Sequence, residues 1–392
     1  MNKNILKTGV QDFIENKWST DMMSVLLKKP IFEGVTQKEL VEQLEAKRKC
    51  KDKLPTWFKT RNIYYPNKLN IEQTSSEITA QYKANLIDGK SLIDLTGGYG
   101  IDSYFFSQKS EQIYHCEIDK NLSEIAAYNY EILGINNVKC IAENGVLFLQ
   151  KNNLNFDWIF IDPSRRNDAK EKVFFMSDCL PNVPKNLDLF FTKSSKILIK
   201  TSPLLDFSIG IKELQFVKEI HVVAVQNDVK ELLWVLKKEY TNAITIKTIN
   251  YTKIGKETYS FILKDEKEAV SDYAEPLSYL YEPNSAVLKS GAFKSIANHF
   301  KLKKLHEHSH LYTSNTLLDF PGRRFKIETV VPYSKKEIQK LRISKANITT
   351  RNFPDSVATI RKKYKIKDGG ETYLFCTTNI QGKLIVLLGK KL

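Results

Sequence analysis

The run Leu92-Ile-Asp-Leu-Thr-Gly-Gly-Tyr-Gly-Ile-Asp102 carries the strongest chemical signal in the chain. It begins apolar, breaks into glycines and continues with Tyr104, Phe105 and Phe106 in a helical pattern. Gly97, Gly98 and Gly100 let a turn tighten and let backbone approach a ligand closely. Asp94, Thr96 and Asp102 place polar groups around that turn. A glycine-rich turn is shared by several nucleotide-binding folds, so its surroundings decide what it holds. Glu117 stands 19 residues after Gly98, within the apolar run Ile113-Tyr-His-Cys-Glu-Ile-Asp119. A carboxylate at that place can accept both hydroxyls of a ribose. Trp158-Ile-Phe-Ile-Asp-Pro-Ser-Arg-Arg then brings Asp162 and Pro163 to the end of another apolar run. Ligands bind at the strand ends along one edge of a parallel sheet.

These residues need a sheet to hold them. Short apolar runs at 92–95, 112–118, 138–142, 158–161, 196–200, 219–225 and 260–263 alternate with helical segments. That alternation predicts an α/β domain over 89–265. Its sheet is doubly wound, Rossmann-like, seven-stranded and mostly parallel, with the last strands as an antiparallel edge. Residues 1–88 read as helical. Leu40, Val41 and Leu44 form one apolar stripe, and a second helix is expected over 75–86, capped by Thr74 or Ser75. The acidic stretch 264–282 reads as a linker. A small α+β unit follows over 275–318, and a final unit covers 319–392. The last unit is expected to end in a hairpin, 372–377 with 384–388, turning at Asn379-Ile-Gln-Gly.

Charge is distributed unevenly. The chain carries +15 in all, and residues 321–392 hold 17 Lys+Arg against 5 Asp+Glu, a net +12. A near-neutral middle with a basic C-terminal unit suits a polyanionic partner. The five cysteines show no Cys-x-x-Cys spacing, which argues against a metal cluster and against radical chemistry. No apolar run reaches the roughly 18 residues of a membrane span, and no signal peptide is evident. A cytoplasmic monomer without a membrane or a metal is the expectation. His306, His308 and His310 would share one face of a strand, but without an acidic or cysteine partner they read as a polar strand end.

The segment Asp94-Leu-Thr-Gly-Gly-Tyr-Gly resembles motif I of class I S-adenosylmethionine-dependent methyltransferases. Glu117 resembles their ribose-binding acid, and Asp162-Pro163 their motif IV. Ala142-Glu-Asn-Gly resembles their motif III, with Asn144 (or Glu143) as the adenine contact. The whole chain resembles the THUMP-like-domain methyltransferases of Bacteroidetes. The segments Leu69-Asn-Ile-Glu-Gln-Thr-Ser-Ser-Glu, Asp162-Pro-Ser-Arg-Arg and Asp319-Phe-Pro-Gly-Arg-Arg carry that likeness. It implies S-adenosylmethionine as cofactor, a helical N-terminal region before the catalytic core, a small ferredoxin-like unit and a THUMP-like domain that delivers RNA.

Methyl transfer is an in-line displacement, so the enzyme must hold a nucleophile near the methyl group and manage its proton. Exocyclic-amine enzymes often carry an aromatic residue after the Asp-Pro of motif IV, and none is present here. Carbon-5 pyrimidine enzymes need a nucleophilic cysteine near this motif; the nearest candidate, Cys179, reads as a packed thiol. The chain also resembles FtsJ-like ribose methyltransferases, whose Lys-Asp-Lys-Glu set deprotonates a 2′-hydroxyl. Lys83, Asp162, Lys200 and Glu231 stand at comparable places, with Lys83 closer to motif I than that family has it. Arg165 and Arg166 follow motif IV and could clamp a phosphate. Arg323, Arg324, Arg361, Lys362 and Lys363 are interleaved with aromatics, as expected for phosphate contact and base stacking. The expected partner is RNA, with ribosomal RNA or a ribosome assembly intermediate first and a ribose 2′-hydroxyl as acceptor. Base methylation, or transfer to a protein or small molecule, stays open.

Overall fold

The computed structural model describes residues 1–165 and 175–392. It divides into two units, Met1–Val217 with Trp234–Tyr240, and Lys218–Leu233 with Thr241–Leu392.

The first unit opens with helices. Helix α1, Gln37–Lys53, starts where Thr36 accepts from the Glu39 amide and Glu39 reaches back to the Thr36 amide. This reciprocal cap satisfies two otherwise orphaned donors. Leu40 and Leu44 then pack on Ile5, Val10 and Ile14. Helix α2, Glu77–Ala84, is capped by Ser76. The sequence favours Thr74 or Ser75 for that place, but the Ser75 hydroxyl is turned to Asp102 instead.

The strand–helix alternation then appears as read. Strand β1 (Ser91–Asp94) leads to α3 (Ile101–Ser107), β2 (Gln112–Cys116), α4 (Lys120–Ile132) and β3 (Val138–Ile141). Helix α5 (Gly145–Lys151), β4 (Trp158–Ile161), α6 (Val183–Lys193) and β5 (Lys196–Thr201) follow. The strands lie in the order β5-β4-β1-β2-β3, and every pairing is parallel. Ile93, Ile159, Ile161 and Ile197 are fully buried, as short apolar strands with both faces covered must be. From β1 the chain moves outward to β2 and β3, then returns to β4 on the other side. The split between β1 and β4 is the switch point where such sheets bind ligands.

The second unit contains the strands β6 (Val217–Val225), β7 (Asp228–Lys237), β8 (Thr245–Tyr251) and β9 (Lys256–Ile262), apart from the ends of β6 and β7 that count with the first. Their order is β9-β8-β6-β7, with β6–β8 parallel and β8–β9 antiparallel. The stretch expected to supply seven strands therefore supplies nine, besides the short pair Ser164–Arg165 and Cys179–Leu180. Strands β7 and β8 escaped the sequence reading, β7 because β6 turns into it through only Gln226 and Asn227. Both are left-handed, with φ of 52° and 62°, as a tight hairpin requires.

The same unit holds a seven-stranded sheet. Its strands are β10 (Tyr279–Pro283), β11 (Lys303–Lys304), β12 (Tyr312–Ser314), β13 (Gly322–Pro332), β14 (Asn347–Arg351), β15 (Thr372–Thr378) and β16 (Leu384–Lys391). Helices α7 (Lys335–Lys340) and α8 (Val357–Tyr364) flank β14 in sequence. The order is β11-β12-β10-β13-β16-β15-β14. The terminal hairpin is β15–β16, and the Gly382 amide closes its turn on the Asn379 carbonyl at 3.0 Å. The stretch read as a linker is ordered by its own acid: Glu266 accepts the amides of Phe293, Lys294 and Ser295. Glu282 on β10 meets Arg323 on the neighbouring β13, and also Arg351 at 2.9 Å on β14, four strands away. Strands lie about 4.8 Å apart, so a flat sheet would hold β10 and β14 about 19 Å apart. The sheet is therefore rolled, and the register shift in β13 between Ile327 and Thr329 helps it curl. Among the described residues no helix is long and apolar enough to cross a membrane.

Candidate active site

Three strand ends of the first unit converge on the turn after β1. Asp94 ends β1 and is fully buried. One of its oxygens accepts the Thr96 amide at 3.0 Å and the other the Ser103 hydroxyl at 2.8 Å. Burial pushes its carboxyl up to about 7. With both oxygens engaged inside the turn, Asp94 shapes the loop from within. The Thr96 hydroxyl accepts the Asp162 amide at 2.7 Å and so joins this loop to the end of β4.

The three glycines have separate reasons. A Cβ on Gly97 would lie 2.3 Å from Nε2 of His115, a fully buried ring beneath the loop. Burial pulls that imidazole down to about 4. Gly100 has φ +90° and caps α3, and a Cβ there would lie 2.2 Å from the Tyr130 hydroxyl. Gly98 has φ +56°, and a Cβ there would meet nothing closer than 3.9 Å, so this side of the turn is open to a ligand. Its amide donates to Glu117 at 2.8 Å, and the other Glu117 oxygen accepts the Asp119 amide at 2.8 Å. A carboxylate has about four acceptor positions, so two remain for ribose hydroxyls.

The N-terminal region braces this loop. The Tyr99 hydroxyl donates to the Tyr64 carbonyl at 3.2 Å, and Asn129 bridges the Tyr64 amide and carbonyl from α4. Ser75 donates to Asp102 at 2.7 Å. Lys83, at 0 % exposure, pairs with Asp102 at 3.1 Å and donates to Ser75. Asp102 is thus held by α2 and the residue before its cap. On the far side, the Asn144 side-chain oxygen caps α5 by accepting from the Val146 and Leu147 amides. Its amide nitrogen makes no hydrogen bond among the described residues. Glu143 pairs with Lys151. Of the two, Asn144 keeps a donor without a partner among the described residues.

At the end of β4, Asp162 forms an ion pair with Lys200 from β5, and Pro163 follows it, half-buried. Of the four residues matched to the ribose-methyltransferase set, the first unit brings these two together. Among the described residues no ion pair joins Lys83 to Asp162. Glu231 is buried on β7 in the second unit. Arg165 lies in a short strand, Ser164–Arg165, paired with Cys179–Leu180. Arg166 lies outside the described residues. His115, Ser103, Tyr99 and Asn129 were not singled out from sequence, and Ser75 only as a helix cap. Only the glycine pattern could have hinted at them, since a glycine that must stay small implies a large neighbour.

Four of the five basic residues marked out in the second unit have acidic partners. Arg323 pairs with Glu282 and lies within 6.0 Å of the rings of Phe325, Tyr373 and Phe375. Arg324 pairs with Asp319, Arg361 with Asp368, and Lys363 with Asp355 at 3.5 Å. Lys362 is exposed and has no ion pair among the described residues. The aromatics beside Arg323 therefore serve the fold. The three histidines lie in the turn between β11 and β12 rather than on a strand, and His310 stacks on Phe293 at 3.6 Å. Among the described residues no group of three potential ligands could hold a metal.

Residues 279–321 match a family of ferredoxin-like domains, and residues 322–391 match a THUMP domain-like family. The crystal structure of a "putative methyltransferase" from Porphyromonas gingivalis W83 is similar to this chain with a TM-score of 0.88. The two are 31% identical over 99% of this chain and 98% of that one. An rRNA methylase from Streptococcus thermophilus is 14% identical over 41% of this chain and 94% of its own, with a TM-score of 0.30. TrmK from M. capricolum, in complex with S-adenosyl-homocysteine, is 19% identical over 42% and 70%, with a TM-score of 0.33. No curated protein is similar in sequence. The likeness to the Porphyromonas protein runs through the catalytic and C-terminal parts alike. The chain belongs to the same family, the class I S-adenosylmethionine-dependent methyltransferases that carry ferredoxin-like and THUMP-like units behind the catalytic domain.

Proposed function

We propose that this enzyme methylates RNA, ribosomal RNA in the first place, and that Asp162 and Lys200 receive the acceptor. The observation that carries the RNA reading is the THUMP-like unit at 322–391 with its net charge of +12 over 321–392. A positive field of that kind gathers a polyanion and speeds its arrival.

S-adenosylmethionine supplies an electrophilic methyl group on a sulfonium. Glu117 binds the ribose hydroxyls of the cofactor, the open face of Gly98 lets backbone approach it, and Asn144 meets the adenine. The Asp162–Lys200 pair lies at the same sheet edge, tied to the cofactor loop through Thr96. The pair orients a hydroxyl by accepting its hydrogen bond on Asp162. With the cofactor bound, the hydroxyl proton would pass to the Asp162 carboxylate as its oxygen is methylated, while the Lys200 ammonium would hold that carboxylate in place. A ribose 2′-hydroxyl suits it, because the carboxylate provides a base and the lysine ammonium anchors it.

The test compares nucleosides of ribosomal RNA from wild type and a strain lacking the gene, by mass spectrometry. Loss of one 2′-O-methyl nucleoside is expected. Loss of a base-methylated nucleoside keeps RNA as substrate and discards the hydroxyl. An unchanged profile sets aside ribosomal RNA. Incubation of the enzyme with labelled cofactor and transfer RNA or protein extract then decides the acceptor.

A further inference from the structure

His115, Cys116 and Glu117 follow one another at the end of β2, and all three address the glycine loop. The Cys116 carbonyl accepts the Gly97 amide at 2.7 Å, and the Glu117 carboxylate accepts the Gly98 amide at 2.8 Å. His115 meets the loop with its ring. The ring is fully buried, and its Nε2 edge faces Gly97, where a Cβ would collide with Nε2 first. Neither ring nitrogen has a hydrogen-bond partner among the described residues. A buried polar atom without a partner destabilises the fold, and an apolar side chain would avoid that loss.

The polar groups around the ring are engaged elsewhere. Asp94 lies in register with His115 on β1, but its two oxygens take the Thr96 amide and the Ser103 hydroxyl. Tyr130 meets the ring edge-on at 5.8 Å and donates its hydroxyl to the Gly100 carbonyl. Cys140, in register on β3, offers only a thiol, which bonds weakly. What remains for Nε2 is the backbone of Gly97 and Gly98. Burial pulls the imidazole down to about 4, and that backbone acts in the opposite sense, as carbonyl oxygens do. The ring is therefore neutral at physiological pH, with one N–H to give. We infer that His115 is a positioning residue for S-adenosylmethionine: its Nε2–H stands in reserve and closes on a Gly97 or Gly98 carbonyl when the cofactor settles on the open face of the loop. A hydrogen bond absent from the free protein is made in the bound one, so His115 adds to cofactor affinity without touching the cofactor. This inference rests on the glycine loop being the cofactor's seat and is independent of the acceptor.

The full chain, isotope-labelled for heteronuclear magnetic resonance, is titrated with S-adenosylhomocysteine. Saturation should move the His115 Nε2–H signal downfield, as a forming hydrogen bond does, together with the Gly97 and Gly98 amide signals. If those amides move and the His115 ring signals hold, the inference is overturned and the cofactor's seat stands. If S-adenosylhomocysteine binds and none of these signals moves, the seat is misplaced and the inference falls with it. Two variants give an independent measure by calorimetric titration. His115→Leu removes the nitrogens and should weaken S-adenosylhomocysteine binding about five- to tenfold. His115→Gln also loses the ring but keeps an N–H to donate, and it should bind at least about threefold more tightly than the leucine variant. The glutamine variant should nevertheless melt no higher than the leucine one, because it buries the more polar side chain. Tighter binding by the less stable of the two separates positioning from packing. Equal affinities in the two variants, or wild-type affinity in the leucine variant, would show that the ring only fills space.

Discussion

The hydroxyl of Thr96 accepts the backbone amide of Asp162 at 2.7 Å, so the glycine loop after β1 and the end of β4 share one hydrogen bond. Thr96→Val keeps the shape and leaves the Asp162 amide without its acceptor. An unmade bond at a protected site costs about 1–3 kcal/mol. Turnover should fall about tenfold or more while cofactor affinity stays within about twofold. Single-turnover rates with saturating cofactor check it; equal rates would show that the link does not place Asp162.

Glu117 accepts the Gly98 and Asp119 amides, and the proposed function gives its remaining lone pairs to a ribose. Glu117→Ala should weaken S-adenosylmethionine binding by at least about tenfold, roughly 1.4 kcal/mol, with the far-ultraviolet dichroism unchanged. Calorimetric titration reads the affinity directly. Wild-type affinity in this variant would move the ribose contact to another residue.

Lys83 and Asp102 form a pair with the lysine at 0 % exposure. Lys83→Met strands the carboxylate and should cost about 3–5 kcal/mol of stability. Adding Asp102→Asn removes the stranded charge and should recover part of that loss. Urea unfolding of the four proteins in a double-mutant cycle gives the coupling, and additive losses would mean that the pair carries no weight.

Two buried groups beside the loop set opposing pH slopes. Asp94 is pushed up to about 7 from an unfolded value of about 3.9, so the folded chain holds its proton more tightly. Its contribution is complete below about pH 4 and is lost as pH rises through about 7. His115 is pulled down to about 4 from about 6.5. Its contribution is present above about pH 6.5 and is lost as pH falls through about 4. Between about pH 4 and 6.5 the two slopes cancel in part. Relative to wild type, His115→Leu should leave stability falling more steeply with pH there, and Asp94→Asn should leave it rising. Each difference should reach at most about 1.4 kcal/mol per pH unit. Denaturation midpoints across that range check both signs, and parallel profiles for all three proteins would refute the titrations.

The legible part of the site was the part written along one strand and its following turn. The glycines, Glu117 and Asp162 declare themselves because parallel strands bring their ends to one edge, whatever the loops between them do. What sequence could not show was how that edge is held. Lys83 is a catalytic candidate by residue type and order, and its pairing with Asp102 is not legible there. Its partner, Asp102, becomes its neighbour only when α2 packs beside α3. The Tyr99–Tyr64–Asn129 bridge likewise spans segments far apart in the chain. Among the strands, β7 was hidden because its hairpin turn is Gln-Asn rather than Asn-Gly, and the left-handed state of Gln226 is set by the strands on either side. In the basic unit, alternating arginine and aromatic residues suggested a stacking surface, and Arg323 used the same alternation to cover the sheet's own rings.

Glu282 lies in the ferredoxin-like match, and both arginines that close on it, Arg323 and Arg351, lie in the THUMP-like match. The junction between the two matches, after residue 321, falls directly before β13, which pairs with β10 along its first five residues. The two families are therefore two names for parts of one rolled sheet. A gene segment encoding either part alone would inherit an open edge, and the ferredoxin-like part a buried carboxylate left single. Such a part could not be passed between proteins as an independent module, and the pair should travel through evolution together.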